Sequence, residues 1–118
     1  MPDAGPMHAA IPSATPREFE ADLLLTAAAH LRAAQTQNSS RGELEDALAY
    51  NRELWAVFLA SIADADNPLP MEIRQNVANL GLFVMRRTLA ILSDPQPDRL
   101  DALIGINCEL AAGLRGRA

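Results

Sequence analysis

What most constrains this chain is its punctuation. From Pro16 to Leu114 apolar residues recur at three- and four-residue spacing. Three short stretches interrupt them: the polar run Gln35 to Ser40, the segment Asp64-Ala65-Asp66-Asn67-Pro68-Leu69-Pro70, and Ser93-Asp94-Pro95-Gln96-Pro97. Proline has no N–H to donate within a helix, and Asx side chains bond back to their own backbone, so such stretches end helices and turn the chain. What lies between them reads as four helices, over about residues 16–35, 41–63, 70–92 and 97–114. Composition agrees with that reading. Almost half the residues are apolar, yet only 4% are aromatic, and Ala and Leu dominate, so the side chains that favour strands are scarce.

The helix starts carry their own signals. Thr15-Pro16-Arg17-Glu18 combines a hydroxyl cap, a proline at the first helical position and a glutamate placed to reach back to the cap; Ser40-Arg41-Gly42-Glu43 repeats the capping box. Spacing then predicts the buried faces: Phe19, Leu23, Ala27, Leu31 and Ala34 on the first helix, and Leu44, Leu48, Asn51, Trp55, Phe58 and Ile62 on the second. The third presents Ile73, Val77, Leu80, Val84 and Ile91, and the fourth Leu100, Leu103, Ile104, Asn107, Leu110 and Leu114. On the third helix Leu82, Phe83, Met85 and Leu89 make the middle apolar almost all round, as expected of a central bundle helix or of one that meets a partner.

Short connections make sequential helices antiparallel neighbours. The expected architecture is therefore all-α: a small four-helix, up-and-down domain over residues 15–118, preceded by a loosely held N-terminal tail over residues 1–14. The first helix is thin and Ala-rich, so lying across the other three, or docking on a second copy of the chain, stays open as an alternative.

Composition also limits the chemistry. The net charge is −5 and all ten basic residues are arginine, so no basic surface is expected to hold nucleic acid or anionic lipid, and lysine Schiff-base chemistry is excluded. Cys108 is the only cysteine; no internal disulfide is possible, and a cytoplasmic location is the default expectation. No apolar run reaches the length of a membrane span, and the tail lacks the features of a signal peptide. Asp64 and Asp66 begin like a calcium loop, but Pro68, Leu69 and Gln75 occupy positions that need an oxygen ligand, a glycine and a bidentate glutamate. His8, His30 and Cys108 have no zinc spacing, and Gly42, Gly81 and Gly105 are isolated rather than gathered in a phosphate loop. No catalytic residue, metal or cofactor is expected, which points to a binding protein rather than an enzyme.

Two kinds of residue need a reason. Gly81 and Gly105 each cost roughly 1 kcal/mol against alanine inside a helix, so they permit close helix crossings or floor a partner groove. Asn51 and Asn107 interrupt apolar faces, and if buried they must bond each other, a helix carbonyl or a bound chain. Trp55, the only tryptophan, suits either a core anchor or an interface hot spot.

The order Thr15-Pro16-Arg17-Glu18, Asn51-Arg52-Glu53-Leu54-Trp55, Asn67-Pro68-Leu69-Pro70, Ile106-Asn107 and Gly113-Leu114 resembles FlaF proteins of alphaproteobacterial flagellar systems, over Thr15 to Leu114. The resemblance implies a Tyr-bearing lead-in in many relatives, where this chain has Met7-His8-Ala9-Ala10. The resemblance implies a positive factor for flagellin synthesis and export, discussed beside the translational regulator FlbT, and thought to act as a flagellin chaperone. The expected partner is flagellin, whose amphipathic terminal segment would lie in a groove. The expected contacts, from the apolar excess of the third helix beside the Trp55 face of the second, are Asn51, Arg52, Trp55, Phe58, Phe83 and Met85. Two rival readings are a regulatory adaptor acting through FlbT-type control and a helical dimerisation module, the latter forming a homodimer rather than a monomer.

Overall fold

The computed structural model describes residues 16–36 and 38–116, so the expected tail at residues 1–14 and the Thr15 cap lie outside the described residues. The chain is all-α, with α1 at Pro16–Ala34, α2 at Arg41–Ala63, α3 at Met71–Ser93 and α4 at Asp101–Leu114. A single 3-10 turn, Pro97–Leu100, leads into α4, where an unbroken α-helix from 97 was expected. Pro97 at its first position removes a donor, and Arg99 N–H closes the tight turn onto the Gln96 carbonyl at 3.0 Å.

Local chemistry sets the boundaries where the sequence places them. Ser40 Oγ accepts from Glu43 N–H at 3.1 Å while the Glu43 carboxylate accepts from Ser40 N–H at 2.7 Å, a complete capping box at the start of α2. Between α2 and α3, Asp64 Oδ1 accepts from Asp66 N–H and Asn67 Oδ1 from Leu69 N–H, each at 2.9 Å, so these Asx residues make turns. Arginines close the helix ends from neighbouring helices. Arg74 of α3 donates to the Ile62 and Asp64 carbonyls at the end of α2, at 2.8 and 3.1 Å, and Arg41 of α2 donates to the Leu92 carbonyl near the end of α3 at 2.9 Å. Cations at helix C-termini satisfy orphan carbonyls and oppose the negative dipole end, and the forked guanidinium reaches two acceptors at once.

Helix α1 lies between α2 and α4, and α2 lies between α1 and α3; α3 and α4 barely touch. The bundle is thus closed on three sides and parted on the fourth. The reason begins with α1. Its buried arc is wide, comprising Ala21, Leu24, Ala27, Ala28, Leu31 and Ala34. Alanine lets two neighbours approach closely, so the helix that reads as thin is an inner one rather than one laid across the others. Its apolar stripe is correspondingly displaced from the expected line: Ala27, Leu31 and Ala34 are buried as expected, whereas Phe19 and Leu23 are only half-buried, and Leu24 and Ala28 take the inner positions.

On the α2 face Leu48, Asn51, Trp55, Phe58 and Ile62 are buried, and on α4 Leu103, Ile104, Asn107 and Ala111 turn inward. Helix α3 contributes Gly81, Val84, Thr88 and Ile91. An added Cβ at Gly81 would stand 2.5 Å from Leu59 Cδ2, so this glycine is what allows α3 to settle against α2. A Cβ added at Gly105 would meet nothing within 4 Å, so this glycine makes no close crossing, contrary to the expectation for it.

The two glycines accordingly predict opposite outcomes. Gly81→Ala forces Leu59 to move and is expected to destabilise by about 1–3 kcal/mol, whereas Gly105→Ala gains helix propensity without a clash and is expected to stabilise by up to roughly 1 kcal/mol. Urea unfolding followed by circular dichroism checks both signs.

Candidate partner-binding site

Two polar side chains and the tryptophan meet in the interior. Trp55 Nε1 donates to Asn107 Oδ1 at 3.0 Å, and Asn107 Nδ2 donates to Asn51 Oδ1 at 2.7 Å and to the Leu24 carbonyl at 3.4 Å. An indole N–H can only donate, so it fixes the Asn107 amide with its oxygen toward Trp55. That orientation in turn requires the oxygen of Asn51 to face Asn107. The cost is visible: Asn51 Nδ2 is buried with no hydrogen-bond partner. The knot joins α1, α2 and α4, and Trp55 also meets Phe58 edge to face, with ring centroids 5.8 Å apart.

This geometry divides the expected contact set. Asn51 and Trp55 have no exposed area and Phe58 is buried, so these three belong to the core. Their place in a binding surface is corrected accordingly, except that one side of Phe58 lines a surface depression described below. Arg52 is exposed beside Thr88 and Leu92, on the seam between α2 and α3. Met85 is half-buried and packs against the core. Phe83 is 38% exposed and carries Arg87 over its ring at 5.1 Å. Only Arg52 and Phe83 of the expected set present substantial surface, and they lie apart: Arg52 is on α2 at its seam with α3, and Phe83 is on α3 where it parts from α4.

The open side of the bundle supplies what that set lacks. Where α3 and α4 part, a shallow apolar depression of about 580 Å³ is lined by Asn76, Asn79, Leu80, Phe83 and Ile106. A second, of about 300 Å³, lies against Val77, Leu110, Leu114, Phe58, Ile62 and Leu69, with Arg17 and Glu20 of α1 at its rim. Val77 and Leu80 are one turn apart on α3, and Ile106 and Leu110 one turn apart on α4, so the two depressions lie end to end as a single groove between antiparallel helices. Its walls are the flanks of the predicted core faces: Val77, Leu80, Leu110 and Leu114 read as interior positions, yet each is only half-buried. Spacing identified these residues as apolar but gave no sign that the helices bearing them stand apart. A separate apolar strip on α3 comprises Leu82 and Leu89, which are 50% and 63% exposed.

Among the described residues, no group of three or more His, Cys, Asp or Glu side chains is placed to hold a metal ion. Among them also, no helix is long and apolar enough to cross a membrane.

A family model for the flagellar protein FlaF matches residues 7–114, beginning well before α1. No curated protein and no solved structure matches the chain.

The interior knot has a testable asymmetry. Asn107→Ala strands both the Trp55 N–H and the Asn51 oxygen and is expected to cost about 2–4 kcal/mol, whereas Asn51→Ala leaves Asn107 bonded to the Leu24 carbonyl and is expected to cost roughly 1–2 kcal/mol. Chemical denaturation read by Trp55 fluorescence compares them, and equal losses would mean that Trp55 does not depend on Asn107.

Proposed function

Because the chain belongs to the FlaF family of flagellar proteins, we propose that it binds unassembled flagellin and covers an amphipathic terminal segment of it until export. The observation that supports this reading is the apolar groove between α3 and α4. Leu80, Phe83, Ile106 and Leu110 stand on its two walls at helical spacing, a pattern that accepts the apolar face of a visiting helix. From Ile106 to Leu114 the α4 wall runs for about 12 Å at 1.5 Å per residue, enough to engage two turns of a docked helix.

The action is binding without a catalytic step, and it takes place in the cytoplasm, before the cargo leaves. Shielding one apolar face stops flagellin from pairing with its own kind, since exposed amphipathic segments associate by the same burial that a groove provides. Asn76 and Asn79 at the rim supply polar edges that set the docked segment's register, with Arg87 over Phe83 bounding the site at its far end. Control of flagellin synthesis follows from occupancy: free and cargo-loaded forms present different surfaces to a regulator of the FlbT type.

Co-purification with full-length flagellin, and with flagellin lacking either terminus, tests partner and segment together. A complex surviving at roughly micromolar concentration and lost on removal of one terminus is expected. Phe83→Asp should abolish it while leaving circular dichroism and the unfolding midpoint unchanged, because this side chain is 38% exposed and outside the closed core. No complex with any of the three flagellins would sink the reading, and a homodimer by light scattering that persists with excess flagellin would favour self-association instead.

A further inference from the structure

Five of the six large apolar side chains that stand exposed among the described residues belong to α3: Met71, Ile73, Leu82, Phe83 and Leu89. Phe83 lines the groove. Leu82 and Leu89 lie about 180–200° round the helix from Leu80, at 100° per residue, and so turn away from it. With Met85 and Arg86 between them they follow at i, i+3, i+4 and i+7, one ridge about two turns long on the outer side of α3. The same helix is positive in an acidic chain. From Ile73 to Ser93 it holds Arg74, Arg86 and Arg87 and no Asp or Glu, whereas the whole chain carries a net charge of −5. Most arginines have an internal use: Arg41, Arg99 and Arg115 hold carboxylates, Arg74 caps α2, and Arg87 covers Phe83. Arg86 on the ridge has no ion pair or hydrogen bond among the described residues, and neither has Arg52, exposed across the α2 seam beside Thr88 and Leu92. Leu92 is one turn past Leu89, so Arg52 flanks the end of the ridge.

We propose that this ridge is a second docking surface, for an acidic amphipathic helix of another protein, whose apolar side chains pack across Leu82, Met85 and Leu89 and whose carboxylates reach Arg86 and Arg52. Charge complementarity selects that occupant. A forked, weakly hydrated guanidinium beside apolar surface suits a carboxylate at a partly dry edge, and here two such groups stand uncommitted next to the exposed leucines. A second copy fits poorly: Arg86 lies near the midpoint between Leu82 and Leu89, so ridge-to-ridge pairing about a two-fold axis sets Arg86 beside its own counterpart, and opposed like charges are costly. The ridge does not depend on the flagellin reading. It stays open when the groove is filled, so a cargo and a second protein can be held at once.

The test titrates the full chain, methyl-labelled at Leu and Ile, with a synthetic helix bearing leucine on one face and glutamate on its flanks, and with a matched peptide in which lysine replaces the glutamate. The Trp55 indole N–H resonance reports that the core knot is intact. The glutamate peptide is expected to move the Leu82 and Leu89 methyls and to leave those of Leu80 and Ile106 in place; the lysine peptide should move neither pair. Arg86→Glu should weaken the glutamate peptide roughly tenfold and admit the lysine peptide, a reversal that loss of the fold cannot produce. Binding should also weaken as salt rises from about 0.1 M to about 1 M, where the Debye length falls from about 10 Å to about 3 Å. Equal binding of the two peptides, shifts at Leu80 and Ile106 in place of Leu82 and Leu89, or no shift at all would overturn the proposal. So would ridge methyls that answer to vesicles of phosphatidylcholine and phosphatidylglycerol and to neither peptide, which would assign the ridge to an anionic membrane surface. Shifts that follow protein concentration alone would overturn it in favour of a second copy.

Discussion

The arrangement hangs on one donor that has no alternative. Trp55 brings an indole N–H into a region without exposed area, and Asn107 is the acceptor that meets it. Asn107 then reaches across to Asn51 and to the Leu24 carbonyl, so one amide fixes the relative positions of α1, α2 and α4. Hydrogen bonds in a low-dielectric interior are directional and costly to break, so this knot selects one register among several that apolar contacts alone would tolerate. The unpartnered Nδ2 of Asn51 is the price of that choice.

Helix α3 takes no part in the knot. It is held to α2 by the close approach at Gly81, by Val84 and Ile91 in the core, and at its ends by the exchanged arginine caps Arg41 and Arg74. Among the described residues nothing comparable draws it to α4, whose inward side chains are turned toward α1. A helix fastened along one side only leaves its other flank as a wall, and the facing flank of α4 becomes the second wall. The groove is therefore a consequence of how the core is locked, and the apolar residues of α3 that exceed the needs of a closed bundle line it or lie exposed beyond it.

Several features of this protein could be read directly from residue order. The helix breaks at the proline and Asx segments, the capping box at Ser40 and Glu43, and the inward face of α2 are local or strictly periodic, so the sequence states them and the structure has them. Of the three outcomes open to buried amides, two are adopted together: Asn107 bonds Asn51 and also a helix carbonyl, that of Leu24. Less legible was the part of α1 at Phe19 and Leu23. Alanine is compatible with every position on a helix, and a stripe made largely of it can be drawn along more than one line.

Residue order by itself determined an all-α chain of four helices, one of them with a complete capping box, and two asparagines on otherwise apolar faces. Tertiary packing alone decided which apolar residues are core and which are wall. Periodicity records that Trp55, Phe58, Leu80 and Ile106 each sit on an apolar face, but burial depends on what stands opposite. Trp55 faces Asn107 across a closed interior, whereas Leu80 and Ile106 face each other across a gap that α3 and α4 do not close. Exposure is a property of pairs of helices, and a single helix's sequence encodes only one member of each pair.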